Sequence, residues 1–240
     1  MPEHDEPSRG FTLPPRYGGP WLSDFWGFVG HALRPGAAVL DLGAGREPTI
    51  PPQRRPEGVH YVGADVSATE LDEAPAGSYD ETVVAEAQKL VPELVDRFDL
   101  IVAKNVLEHV QDLPSAVEAC HRYARPGGWF ASILSGRYAV FSIANRILPD
   151  AIGSRIVAGL MGRPIEKVFP AHYDHCYARG LERAFAPWEE LHVIPLWHGA
   201  EYFARLPGIR TAYIRYENWA RDRRRDNLAT HYVVAARKRA

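Results

Sequence analysis

Apolar and polar positions fall into short blocks along this chain, and most blocks read as buried strands separated by helices or turns. Val39-Leu40-Asp41-Leu42 is too short for a helix and suits a strand covered on both faces; Gly43-Ala44-Gly45 follows it as a turn. Further strands are predicted over Val59–Ala64, which ends at Asp65, and over Glu81–Ala85, Phe98–Ala103 and Trp129–Leu134. Helical spacing of apolar residues predicts helices over Trp21–Leu33 and Leu113–Ala124, stopped by Arg34-Pro35-Gly36 and by the turn Arg125-Pro126-Gly127-Gly128. Pro48, Pro51, Pro52 and Pro56 leave little room for a regular helix after the glycine turn. Strands alternating with helices argue for an α/β fold with a parallel, doubly wound sheet.

The last third has a different texture. Tyr138 to Met161 is apolar and broken by Pro149 and Gly153, which predicts two short helices inserted after the fifth strand. A helix is predicted from His175 to Phe185. Ile209–Tyr216 and Thr230–Ala236 read as two final strands joined by a long charged link, Glu217–Leu228. Residues 1–20, rich in Pro, Gly and charge, read as a flexible arm, and 21–240 as one domain with a helical cap insertion at about 138–180.

Composition narrows the class without naming a chemistry. The hydrophobic fraction of 46% and charged fraction of 24% are those of an ordinary soluble protein. A net charge of −2 gives no overall attraction to nucleic acid or an anionic membrane. Arg221, Arg223, Arg224 and Arg225 alternate with Asp222 and Asp226 and read as a solvated connector. No apolar run suits a membrane span, and the polar, acidic Met1–Arg9 is no secretory signal. Two cysteines, Cys120 and Cys176, imply no disulfide framework, so a reducing cytoplasm is the expected compartment.

The chemistry concentrates at predicted strand ends, the edge where open α/β sheets bind ligands. Gly43 and Gly45 allow a sharp turn and close backbone approach to a ligand. Asp65, 20 residues beyond Gly45, ends the second strand, and a carboxylate there can accept hydrogen bonds from both hydroxyls of a ribose. A plain helix-capping role for Asp65 competes with that reading.

Taken together, VLDLGAGREP, YVGADVS, VAEAQKL, FDLIVAKNVLEHV and RPGGWFASI resemble the class I S-adenosylmethionine-dependent methyltransferases, in order and with the family's spacing over about Ala38 to Leu134. The resemblance implies a Rossmann-like, seven-stranded, mostly parallel sheet with an antiparallel final strand, in a three-layer sandwich. It also implies S-adenosyl-L-methionine as cofactor. Asp41, Gly43, Ala44 and Gly45 match the loop that cradles the methionine part, Asp65 the ribose ligand, and Val66 a residue packing on adenine. Glu86 and Ala87 match the pair near the adenine amino group, where the family more often has Asp; Lys104 and Asn105 fall beside the sulfonium. A lysine there is repelled by the sulfonium, so Lys104 is expected to point away or to meet substrate.

Methyl transfer from a sulfonium needs mainly a near-attack geometry, with a general base only for an acidic acceptor such as a hydroxyl. His109, in LEHV, is one candidate base; His172, Tyr173 and His175, in a segment that loosely resembles an acceptor-facing stretch in some family members, are the others. His172, His175 and Cys176 lack an evident fourth partner, so no metal site is expected. The expected partner is a small, partly apolar methyl acceptor, with no nucleic acid and no stable membrane insertion, in a monomer or homodimer. The apolar insertion is expected to cap the acceptor or to form a dimer contact. The alternative is a non-catalytic S-adenosylmethionine-binding or scaffold protein of the same fold.

Overall fold

The computed structural model describes residues 13–147 and 171–240. Seven strands form one sheet: β1 (Ala38–Leu42), β2 (His60–Asp65), β3 (Glu81–Val84), β4 (Phe98–Lys104), β5 (Ala124–Ser135), β6 (Glu190–Leu196) and β7 (His231–Arg237). Their spatial order is β3-β2-β1-β4-β5-β7-β6, with β7 antiparallel to both neighbours and the remaining pairs parallel. The doubly wound sheet and its antiparallel final strand are as the sequence led us to expect.

Period-two alternation sorts the side chains into two layers. Val39, Tyr61, Leu100, Val102, Ala131, Ile133 and Val233 pack on one face against Phe25 and Val29 of α1 (Ser23–Ala32). Leu40, Leu42, Val62, Ile101, Phe130 and Val234 pack on the other, against α3 (Leu113–Tyr123) and α5 (Ala178–Ala184). The short α2 (Ala68–Asp72) follows β2, capped by Ser67 Oγ, which accepts the Glu70 N–H. Between β1 and β2 only a 3-10 turn, Pro52–Arg54, interrupts the proline-rich stretch. Arg125–Gly128 form an outward excursion within β5, since Phe98 pairs with Ala124 and Leu100 next with Trp129.

Three features depart from the sequence reading. Ile209–Tyr216 is not a strand: it belongs to α6 (Pro207–Asp222), which also absorbs the first half of the expected charged link. Tyr213, Ile214, Glu217 and Ala220 give its buried side, at helical spacing, and Pro207 sits at its first turn. The strand that pairs with β7 is β6, where Pro195 interrupts the pattern; β6 lies at the sheet edge, where a proline is tolerated. The helix expected from His175 starts only at Ala178, because Tyr173 and His175 adopt positive φ (52° and 51°).

The expected loose arm is tied down within its described part. Arg16 Nη1 donates to Asn218 Oδ1 and its Nε to the Trp197 carbonyl, both at 2.7 Å. The Tyr17 hydroxyl donates to Glu217. Of the expected cap insertion, α4 (Val140–Ile147) is helical, while 148–170 lie outside the described residues. No described helix is long and apolar enough to cross a membrane.

Candidate functional site

The carboxyl ends of β1 to β4 meet at one cavity of about 410 Å³, within the range of small-molecule sites. β1 contributes Leu42 and Gly43, β2 Asp65 and Val66, the turn after β3 Ala85 to Gln88, and the turn after β4 Asn105, Val106, His109, Val110 and Gln111; His172 closes it from later in the chain. Gly43, Asp65, Val66, Glu86, Ala87, Asn105, His109 and His172 are thus brought together, as a group, from the sequence-derived candidates.

Backbone geometry explains the glycines. Gly43 has φ +68°, and a Cβ there would collide with both methyls of Val106, with Cγ1 at 2.9 Å. Gly45, at φ +54°, donates its N–H to Asp65 Oδ2 at 3.0 Å. Asp65 Oδ1 accepts the Ser67 N–H at 2.9 Å. Each carboxylate oxygen keeps a further lone pair, so the acid can still accept from a ligand hydroxyl. The Tyr79 hydroxyl spans the carbonyls of Ala44 (2.9 Å) and Gly45 (3.0 Å), bracing the turn from beneath. Beside Asp65, Val66 is 62% exposed at the cavity, an apolar platform of the kind a flat base covers.

Other candidates stand elsewhere. Asp41 is buried below the cavity, where it accepts from the Thr49 N–H and hydroxyl and from the Tyr61 hydroxyl, at 2.7–2.8 Å. Burial lifts its carboxyl to about 6, partly offset by those three donors. It organises the loop after the glycine turn and does not line the cavity. Ala44 is buried, and Lys104 is exposed at the end of β4; neither Ala44, Gly45 nor Lys104 lines the cavity. Tyr173 is buried in the main core, and His175 lies 2.8 Å from Asp174 in a separate cavity with Pro114, Glu118 and Arg183. The left-handed turn through these two residues carries them away from His172. Cys176 Sγ lies 3.2 Å from the Asp174 carbonyl, and no three-ligand metal cluster occurs among the described residues.

Sequence reasoning overlooked two groups. Gln88 Oε1 accepts the N–H groups of Gln111 and Asp112, both at 3.1 Å, joining the β3 turn to the start of α3. Glu108 is buried; its Oε1 accepts the Ser135 N–H at 3.2 Å, and its carbonyl accepts the N–H groups of His172 and Tyr173 at 2.9 Å. Glu108 thereby carries the His172 segment to the cavity, and burial holds its carboxyl above the ordinary range. Its place in LEHV, beside His109, was the available signal.

Comparison with known proteins agrees with this fold. The chain is 28% identical over 154 residues to a ubiquinone biosynthesis O-methyltransferase of Paraburkholderia phytofirmans, covering 62% of this chain and 60% of the relative. A namesake from Paraburkholderia phymatum is 28% identical over 219 residues, covering 88% and 82%. The chain thus spans about three fifths of the first relative's length and about four fifths of the second's. Among solved structures, geranyl diphosphate C-methyltransferase of Streptomyces coelicolor, in complex with Mg2+, geranyl-S-thiolodiphosphate and S-adenosyl-L-homocysteine, superimposes with a TM-score of 0.55 at 18% identity, covering 90% of this chain and 75% of that one. Phosphoethanolamine N-methyltransferase 2 of Haemonchus contortus, in complex with S-adenosyl-L-methionine, gives 0.54 at 12% identity, covering 90% and 52%. A family profile described as "Methyltransferase domain" matches residues 20–150, the span that holds α1, β1 to β5 and all of the cavity lining except His172, and the chain belongs to that family.

Proposed function

We propose that this chain transfers a methyl group from S-adenosyl-L-methionine to a small, partly apolar acceptor. The convergence of Gly43, Asp65, Val66, Glu86, Ala87 and Asn105 on one cavity with His109 and His172 carries this reading. Asp65 would hold the ribose hydroxyls, Val66 the adenine face, and Glu86 and Ala87 the adenine edge. Gly43 and Asn105 would approach the methionine part. The glycine turn, held by Gly45 to Asp65 and by Asp41 through Thr49, keeps that cradle preformed. When bound, the cofactor supplies an already activated methyl group, so the chain's own task is alignment and exclusion of water.

His109 and His172 line the same cavity and would supply the base for an acidic acceptor, and the O-methyltransferase names of the relatives favour a hydroxyl acceptor. Tyr138, Val140 and Ile143, which are exposed, would contribute an apolar wall to the acceptor. Calorimetric titration with S-adenosyl-L-methionine tests the cofactor, and lack of binding by the wild type ends the proposal. Transfer of a labelled methyl group into a fractionated extract then identifies the acceptor; binding without transfer to any fraction leaves the scaffold reading in its place.

A further inference from the structure

The helix that replaces the expected strand and link carries an unusual surface. Between residues 205 and 225 the chain has seven arginines against two acids, Glu217 and Asp222, in a protein whose overall charge is −2. Glu217 is buried in a hydrogen-bonded hub, so it does not offset the surface charge. Arg221 pairs with Asp222 at 3.2 Å. Arg205, Arg215, Arg223, Arg224 and Arg225 are exposed and have no ion-pair partner among the described residues.

The same helix exposes an apolar stripe. Ile209, Ala212, Tyr216 and Trp219 recur at three- and four-residue steps, beside the buried side of α6. Ile209 is 52% exposed, Trp219 43%, and Leu206, just before the helix, 44%. Arg223 lies over the Trp219 ring, its guanidinium carbon 5.6 Å from the centroid. The stripe ends at a cavity of about 570 Å³ lined by Trp219, Arg224, Arg225 and Arg179 together with Glu182 and Asp226.

We propose that α6 and the arginines after it form a docking surface for an anionic lipid membrane. Exposed aliphatic and aromatic side chains beside unpaired arginines match both parts of such a surface, the acyl boundary and the anionic headgroups. A nucleic-acid surface would use the arginines and Trp219 but has no use for Leu206 and Ile209. A second copy of the chain would bring the same positive charge to the contact and repel it. α5, which supplies Arg179 to the cavity, directly follows the His172 segment, so the surface connects through a few residues to the cofactor cavity.

The test is co-sedimentation of the full chain with phosphatidylcholine vesicles, with and without phosphatidylglycerol. The expected result is binding only with phosphatidylglycerol, reversed by salt. Arg223→Glu/Arg224→Glu/Arg225→Glu should weaken it on the order of a hundredfold, since each arginine near an anionic surface contributes roughly fivefold. Ile209→Asp, which leaves every arginine in place, should weaken binding on its own and decides the matter if the triple variant fails to fold. Equal binding to both vesicles, or unchanged binding by Ile209→Asp, overturns the proposal. So does binding of a single-stranded RNA oligonucleotide that phosphatidylglycerol vesicles do not displace.

Discussion

The backbone N–H of Gly45 donates to Asp65 Oδ2 at 3.0 Å, so the glycine turn after β1 and the acid ending β2 form one hydrogen-bonded unit. Asp65→Ala removes this acceptor, the Ser67 contact and the proposed ribose ligand together. The expected loss in S-adenosyl-L-methionine affinity is about 1.5–3 kcal/mol, the range for hydrogen bonds to a charged group. Asp65→Asn keeps one acceptor oxygen and should fall between alanine and wild type. Calorimetry on the three proteins gives the order, and equal affinities would remove Asp65 from the site.

A side chain at position 43 meets Val106. Gly43→Ala places a methyl group against both Val106 methyls at a backbone φ of +68°, so packing and conformation both oppose it. Unfolding in urea should show a loss of about 1–3 kcal/mol. Gly43→Ala/Val106→Ala relieves the clash but not the φ, and should recover part of that loss. A double-mutant cycle isolates the recovered part, and strictly additive losses would refute the contact.

Two buried titratable groups give opposite pH dependences. Burial lifts the Asp41 carboxyl to about 6, against 3.8 when exposed. The folded state then holds a proton that the unfolded chain has released, so stability from this group is highest below pH 4. It falls as pH rises to 6, by about 3 kcal/mol. His231, buried and joined through Nε2 to the Tyr202 hydroxyl at 3.1 Å, is pushed down to about 3 from 6.5. Its unfolded form takes up the proton first, so stability from His231 is lost as pH falls from above 6.5 toward 3. Urea unfolding from pH 4 to 7 should therefore show Asp41→Asn gaining on the wild type as pH rises and His231→Asn losing on it. Parallel pH curves for all three proteins would contradict both assignments.

Much of the β1–β5 half was legible because strand-end chemistry is local. VLDLGAG and YVGAD each place their cavity-lining residue next to an apolar run, and Asp65, Val66, Glu86, Ala87 and Asn105 converge once those strands are parallel neighbours. The later half depends on long-range partners. Ile209, Tyr213 and Tyr216 suit a strand by residue type, and only their spacing reveals the helix. Pro195 hid β6 until its place at the sheet edge was known. Asp41 and Lys104 sit in the right segments, yet the burial of one and the outward position of the other follow from three-dimensional packing.

Glu217 makes the amino-terminal segment part of the fold. Its side chain, fully buried, accepts from Gly199 N–H (2.8 Å), the Thr230 hydroxyl (2.9 Å), Tyr17 and Arg16. Arg16→Ala removes the one cation facing this carboxylate among the described residues. Breaking one partner of a buried pair costs about 3–5 kcal/mol, so this variant should unfold at a markedly lower urea concentration. Arg16→Lys should restore part of the difference through charge alone. A wild-type midpoint for Arg16→Ala would mean that the segment does not hold in solution.

His109 and His172 make the proposed reaction separable from cofactor binding. Both line the cavity, while the proposed adenosine-binding positions lie at the ends of β2 and β3. If one imidazole takes the proton from a hydroxyl acceptor, replacing it should lower kcat by roughly 10²–10⁴. Affinity for S-adenosyl-L-methionine should stay near the wild-type value. The rate should also lose its acidic limb, because the group that must be deprotonated is gone. His109→Gln and His172→Gln measured across pH 5–9 therefore assign the base to the variant whose kcat falls and whose profile flattens. His172 is attached through its backbone N–H to the Glu108 carbonyl, a bond that a change of side chain keeps, so His172→Gln should leave that segment in place. A rise in KM with kcat unchanged in both variants would make the two histidines part of the acceptor wall, and the reaction would then proceed by alignment alone.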